Sequence, residues 1–142
     1  MDAHMLDDRP VIAAAVIVDG GRVLFVRRRE AEGKLRWQFP AGQVEAGETW
    51  LAAAVRETLE ETGLAVTSTA ILGDRIHPAT GRRMAYVACS VLSGTAHVAD
   101  PDELDAVEWC APEQVTQYVP WPFYPPVQAY LDEQLAPVPA RP

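Results

Sequence analysis

The chain has 142 residues, 49% of them hydrophobic and 23% charged, with a formal net charge of −8. That length and balance fit one soluble globular domain with a real core. The acidic excess argues against a nucleic-acid backbone as the main partner, since that needs a broad basic surface, but it leaves room for a small anionic substrate met by local arginines or a bound metal. Cys89 and Cys110 make no disulfide framework. With no charged-then-apolar leader and no apolar run of about 18 residues, a cytoplasmic chain without a membrane partner is expected.

Residues 1–9 are polar and aperiodic, a loose end by composition. The apolar, partly β-branched run from Pro10 to Val18 predicts a buried strand, and Asp19-Gly20-Gly21 a turn into a second strand, giving a hairpin. Arg22, Leu24 and Val26 alternate with Val23, Phe25 and Arg27, so the second strand has two faces and delivers Arg27, Arg28 and Arg29 near its end. Two readings stand for this triplet. It is a solvated strand end, or one member, Arg27 or Arg29, enters a cleft and meets phosphate oxygens with its planar donor fork. Glu30 to Lys34 reads as a loop. Leu35 to Pro40 reads as a short strand, with Trp37 and Phe39 in the core, feeding a glycine-rich loop from Pro40 to Gly47.

A helix follows, because Ala52, Ala53 and Ala54 lie in a window without proline. Thr49 suits the N-cap, and Gly63 the left-handed residue after the end. Glu57, Glu60 and Glu61 then share a face at the three-and-four spacing of helical neighbours. Such like charges repel by about 0.2–0.5 kcal/mol per pair. Their clustered oxygens suit a hard divalent ion, Mg²⁺ or Mn²⁺. Arg56 is placed to hold a carboxylate in one orientation. On the far side, Leu51, Val55 and Leu59 form an apolar stripe expected to dock on a sheet.

Ala65 to His77 predicts a strand, with Val66, Ile71, Leu72 and Ile76 as buried positions. His77 to Gly81 is a turn bracketed by Arg75, His77, Arg82 and Arg83. It is either a solvated hairpin tip or an anion contact in which His77 and Arg82 bind substrate. Arg82 to Leu92 returns as a central strand. Ser93 to Val98 reads as a short strand, Ala99 to Glu103 as an acidic loop, and Val107 to Cys110 as a closing strand. A helical turn with Pro112 near its start comes next. Tyr118 to Pro126 is either a packed connector or a lid offering a ring for a nucleobase to stack on. Val127, Leu131 and Leu135 mark a terminal helix, and residues 136–142 trail off as a flexible end. Pattern alone predicts an α/β or α+β fold.

The segment from Gly42 to Leu64 resembles the Nudix box, G-x5-E-x7-R-E-U-x-E-E-x-G-U, where U is a bulky apolar residue. Gly42, Glu48, Arg56, Glu57, Glu60, Glu61, Gly63 and Leu64 fall on its fixed positions, and Thr58 stands where an aliphatic residue is commoner. Eight matches at fixed spacing make the resemblance highly specific. It implies an α/β fold, the Nudix-type α/β/α sandwich around a mixed β-sheet, as a single hydrolase domain over residues 1–142. It also implies Mg²⁺-dependent hydrolysis of a diphosphate linkage flanked by organic groups, with Mn²⁺ as the alternative ion. By the same resemblance Glu57, Glu60 and Glu61 are metal ligands with the Gly42 carbonyl, and Arg56 orients them, with Glu48 as its structural partner. The general base is Glu57 or Glu60. By the resemblance a further ligand comes from the acidic loop, Glu103 ahead of Asp102; the other reading of Glu103 is a plain surface acid.

Substrate choice lies outside the box, where Arg27, Arg29, His77 and Arg82 are the candidate contacts. A nucleoside triphosphate cut to monophosphate and pyrophosphate leads, including an oxidised one as in the MutT-type branch. ADP-ribose or a nucleotide sugar is the alternative, and a homodimer is left open. Two other classes compete. A non-catalytic nucleotide-binding module is expected to lose box carboxylates, and this chain keeps them. An isomerase of isoprenoid diphosphates needs a reactive cysteine, whereas Cys89 and Cys110 sit where packing suits them better.

Overall fold

The computed structural model describes residues 9–32 and 35–135, so the readings made for residues 1–8 and 136–142 lie outside the described residues. The apolar run becomes β1 (Val11–Asp19), and Gly20 and Gly21, at φ 57 and 75, turn the chain into β2 (Arg22–Glu32). Both glycines take the positive φ that a two-residue hairpin turn requires. Next come β3 (Leu35–Gln38), β4 (Ala41–Gln43), α1 (Trp50–Thr62), β5 (Ala65–Ile76), β6 (Arg83–Ser93) and β7 (Leu104–Cys110). A 3₁₀ turn at Pro112–Gln114 leads into the short α2 (Val115–Tyr118), and α3 (Pro125–Gln134) closes the described chain.

The strands form one mixed sheet in the order β3-β2-β1-β6-β5, with β4 added to β1 and β7 to β2. β1 and β6 run parallel from Val11↔Arg83 to Ile17↔Cys89. β1 and β2 pair only at the hairpin end, Val18↔Val23 and Asp19↔Arg22, and then part. Past that point β3 takes the edge of β2 and β4 the edge of β1, so the chain through Phe39 and Pro40 crosses between the two. That crossing carries the glycine-rich loop to the start of α1.

Alternation along β1 shows that both faces are covered. Ala14 and Val16 join a core with Phe25, Phe39, Tyr86, Val127 and Leu131, under α2 and α3. Ala13, Ala15 and Ile17 join a second core with Leu24, Val87, Ala53 and Ala54, under α1. Helices on both faces of a mixed sheet are the expected α/β/α sandwich.

The local signals of α1 hold, since Thr49 accepts a hydrogen bond from the Ala52 amide and Gly63 caps the end at φ 74. Its buried face differs from the expectation. Leu51 and Leu59 are 38% and 52% exposed, while Ala53, Ala54, Thr58, Glu61 and Thr62 are buried. Small side chains let the helix backbone lie close to the sheet. The Thr58 and Thr62 hydroxyls donate to the Ala54 and Thr58 carbonyls, each at 2.7 Å, so neither is left unpaired. Thr58, the departure from the box pattern, is therefore part of the closest contact.

Three further expectations are corrected. β2 continues through Glu32, which pairs with Leu35, so Glu30 to Glu32 are strand where a loop was expected, and the rest of that reading, 33–34, lies outside the described residues. β5 is an edge strand with three register shifts, which turn Ile71 and Ile76 outward at 50% and 41% exposure while Val66 stays buried. Residues 94–98 form no strand; they run as a connector held by His97 N–H donating to the Thr62 carbonyl and Ala99 N–H to the Glu61 carbonyl, at 3.0 and 2.9 Å.

The helix face gives a direct test. Leu59→Gln is expected to change unfolding free energy by less than about 0.5 kcal/mol. Ala54→Leu, which forces side-chain volume into the helix–sheet contact, is expected to cost about 1–3 kcal/mol in urea unfolding.

Candidate functional site

Glu61 lies on the core face of α1 and is 3% exposed. Arg28 Nη1 donates to its Oε2 at 2.7 Å, and the Ala41 amide to its Oε1 at 3.1 Å. The Arg28 Nη2 group in turn donates to the Ala41 carbonyl at 2.9 Å. β2, β4 and α1 are thus joined through one carboxylate. Burial pushes the Glu61 carboxyl up to about 7, against the opposing pull of Arg28 and the Ala41 amide.

A second guanidinium arranges the remaining acids. Arg56 donates to both oxygens of Glu48, Nε at 2.7 Å and Nη2 at 2.8 Å, a bidentate pair. Its Nη1 donates to Glu57 at 2.8 Å and reaches Glu60 at 3.3 Å, while Nη2 also donates to the Gln43 carbonyl at 3.1 Å. The geometry matches the expectation for Arg56 and Glu48. These hydrogen bonds, with a further one from the Glu45 amide, hold the Glu48 carboxyl down at about 2. Burial raises that of Glu57, again against Arg56. Glu60 is the open member, its side chain 56% exposed against 14% for Glu57.

Glu57, Glu60 and Glu61 line a cleft of about 580 Å³ with Gly42, Glu103, Arg28, His77 and Arg82. Glu103, the acid expected from outside the box, sits 3.8 Å from Arg28 with its side chain 62% exposed. His77 and Arg82 are both in the cleft wall, and the turn between them closes through the His77 amide donating to the Arg82 carbonyl at 2.8 Å.

Arg27 and Arg29 are not in the cleft wall. The Nε of Arg27 donates to Asp105 at 2.5 Å and its guanidinium lies over Trp37, while Arg29 donates to the Pro101 carbonyl. Arg28, which the sequence reading passed over, occupies the place expected for one of them. Parity was the available signal, because Arg28 shares a strand face with Leu24, whose core α1 covers.

The residues fit a hard divalent cation by chemistry, since the donors are all oxygen. Gly42 also fits, because an added Cβ would collide with the Glu57 carboxylate, so loop backbone and carboxylate lie directly against each other. Among the described residues no three acidic or imidazole groups close on a common point. Each box carboxylate turns toward a guanidinium instead.

Neither cysteine lines the cleft. Both are buried, and burial pushes the Cys89 thiol up to about 11 and the Cys110 thiol to about 12, which suits packing and not nucleophilic chemistry.

Next to the cleft is an aromatic cavity of about 620 Å³. The segment from Tyr118 to Pro126 packs as a connector and also contributes to the wall of this cavity. Phe123 stacks on Phe25 at 6.3 Å and Tyr118 meets Trp37 edge-on at 4.8 Å, as packing. Trp121, 42% exposed, stands in the cavity wall.

Residues 8–132 match the NUDIX domain family, and the chain belongs to it. It is similar to the CTP pyrophosphohydrolase of Escherichia coli, 31% identical over 110 residues covering 75% of this chain and 79% of that protein. It is also similar to the RNA pyrophosphohydrolase of Halorhodospira halophila, 49% identical over 65 residues covering 46% of this chain and 34% of that one. The first curated relatives are spanned over only 29–47% of their own length. Among solved structures, a MutT NUDIX hydrolase from Burkholderia pseudomallei superposes with a TM-score of 0.61 at 29% identity, covering 89% of this chain and 98% of that one. Among the described residues no helix is long and apolar enough to cross a membrane.

In the absence of metal, folded protein keeps the Glu61 proton up to about pH 7, whereas the unfolded chain releases it near 4.5. The native state therefore binds more protons in that window, and its stability falls as pH rises through it. Urea unfolding in chelator between pH 4.5 and 7.5 is expected to show this fall. Glu61→Gln should flatten it, leaving the opposed contributions of Glu57, raised by burial, and Glu48, held down by Arg56.

Proposed function

We propose that this chain hydrolyses the diphosphate linkage of a nucleoside diphosphate derivative, with a nucleoside triphosphate cut to monophosphate and pyrophosphate as its leading substrate. One observation carries the reading: Glu57, Glu60 and Glu61 together line a cleft that opens beside an aromatic cavity of nucleobase-accommodating size. The CTP pyrophosphohydrolase likeness, which spans most of that relative, supports a triphosphate. The net charge of −8 favours a small nucleotide over a long nucleic-acid backbone as partner.

Glu57, Glu60, Glu61 and the Gly42 carbonyl, with Glu103 from the acidic loop, would hold Mg²⁺ or Mn²⁺. When bound, the ion neutralises phosphate oxygens and lowers the pKa of a coordinated water. Arg56 fixes the orientation of Glu57 through its own clamp on Glu48. Of the two candidate bases, Glu60 has the room to take a proton from water, because Glu57 is pinned at 2.8 Å and largely buried. Phosphate oxygens are met by Arg28, His77 and Arg82, the cations in the cleft wall, in place of Arg27 and Arg29.

The test is Mg²⁺-dependent turnover on a panel of canonical and oxidised nucleoside triphosphates, ADP-ribose and nucleotide sugars, with products identified. Chelator is expected to abolish turnover, and Mg²⁺ or Mn²⁺ to restore it. Glu60→Gln should lower kcat by about 10²–10⁴-fold, the range for losing a general base, with no loss of thermal stability because the side chain is exposed. Turnover that survives this change sinks the assignment. Nucleotide binding with silence across the panel favours a non-catalytic module.

A further inference from the structure

The aromatic cavity holds a guanidinium whose terminal donors are unspent. The Arg75 guanidinium carbon lies 5.8 Å from the Tyr86 ring centre and 5.5 Å from that of Tyr124, and those two rings stack at 5.6 Å. Its Nε donates to the Tyr86 hydroxyl at 3.3 Å. Among the described residues its two terminal nitrogens have no protein acceptor, and no acidic side chain lines the cavity. The guanidinium is held by rings, which fix its position through cation–π attraction and consume none of those terminal donors. Gln38 is the second unspent group. It stands in the walls of both the cavity and the carboxylate cleft, and its amide has no hydrogen-bond partner among the described residues.

A planar fork of donors in a cavity without carboxylates selects for a ring that offers two neighbouring acceptors. Cytosine does so with O2 and N3, and guanine with O6 and N7. Adenine has an amino group beside each edge nitrogen it could offer this way, and uracil places N3–H between its two oxygens. Oxidation of guanine at C8 puts a proton on N7 and removes half of the guanine pair.

We propose that this cavity is the base-recognition site of the substrate named above, and that Arg75, assisted by Gln38, makes it selective for bases with a keto oxygen beside an unprotonated ring nitrogen: cytosine and guanine, over adenine, uracil and 8-oxoguanine. The proposal rests on the reading that the substrate is a nucleotide, and it names residues outside the box as the source of selectivity. Arg75 binds the base and takes no part in bond breaking. Its loss therefore acts on affinity and KM, not on kcat.

The test is equilibrium binding of CMP, GMP, AMP, UMP and 8-oxo-dGMP to the full chain, read by calorimetry, alongside steady-state kinetics with the matching triphosphates. Wild type is expected to bind CMP and GMP at least about tenfold more tightly than the other three, the discrimination of one bidentate pair. Arg75→Met, checked for an unchanged melting curve, should bring all five within about twofold. Arg75→Lys should lose the discrimination as well, because it keeps the charge and not the fork. Equal affinity in wild type, no binding of any monophosphate, or a uniform loss across all five in Arg75→Met overturns the proposal. Because binding is measured apart from turnover, discrimination without hydrolysis would sink the catalytic reading alone. Hydrolysis without discrimination would sink this one alone.

Discussion

A carboxylate on the core side of a helix is the constraint on which the rest of this structure depends. Glu61 can be buried only if its oxygens are satisfied, since an unpaired charge in the interior is strongly destabilising. Arg28 meets that need from β2, and the Ala41 amide from β4, the strand that pairs with β1 where β1 and β2 have parted. The acid is therefore also the tie that holds β2 and β4 together against α1. The helix can come near enough only because Ala53, Ala54 and Thr58 make up its buried face. Leucines at those positions would hold Glu61 away from the Ala41 amide. Burial of an acid and smallness of its neighbours are one requirement expressed at several positions.

Arg56 works at the opposite, wetter side of the same helix. Its bidentate grip on Glu48 fixes the guanidinium, and the remaining donors then fix Glu57 strongly and Glu60 weakly. Glu61, Glu57 and Glu60 are thus held in three different states: one buried and locked, one largely buried and pinned, one exposed and loosely held. A set of oxygens graded in this way is suited to a cation that needs some ligands placed in advance and another free to handle a proton. Repulsion among the acids, a cost in an isolated helix, is offset here by two guanidiniums.

The sequence carried the elements whose determinants are local. The Gly20-Gly21 turn, the Thr49 cap, the Gly63 stop and the spacing of the box acids all depend on neighbours a few residues away, and all were legible. Misjudged features depend on partners far along the chain. Of the Leu51, Val55 and Leu59 stripe only Val55 packs against the core; apolar size was taken as the guide, whereas close approach to the sheet favoured alanine and threonine. Arg28 was passed over because parity groups it with Leu24, but nothing local says that the box helix covers that face of β2. Ile71 and Ile76 were expected inside because edge position and register shifts in β5 are set by which strand fails to find a second neighbour. The aromatic cavity proposed to choose the substrate was the least legible of all, because it gathers Phe25, Gln38, Arg75, Tyr86 and Trp121 from separate segments with no shared motif.

The proposed chemistry and the proposed recognition would meet on a few shared residues. Leu35, Gln38, Ala41, His77 and Met84 stand in the walls of both the cleft and the aromatic cavity. Ala41 is also the residue whose amide and carbonyl are bound by Glu61 and Arg28, so the partition between the two spaces is anchored to the buried carboxylate. A base seated in the cavity would bear on β3 and the Ala41 end of β4. Any shift there is resisted by the Arg28–Glu61 pair, which leaves the distance between base and phosphates set by the fold and not by the ligand. A substrate whose organic half is too large or too small for that fixed span would bind with its phosphates displaced from the acids. Selectivity for one class of nucleotide can therefore arise from the rigidity of the partition as well as from the groups that touch the base.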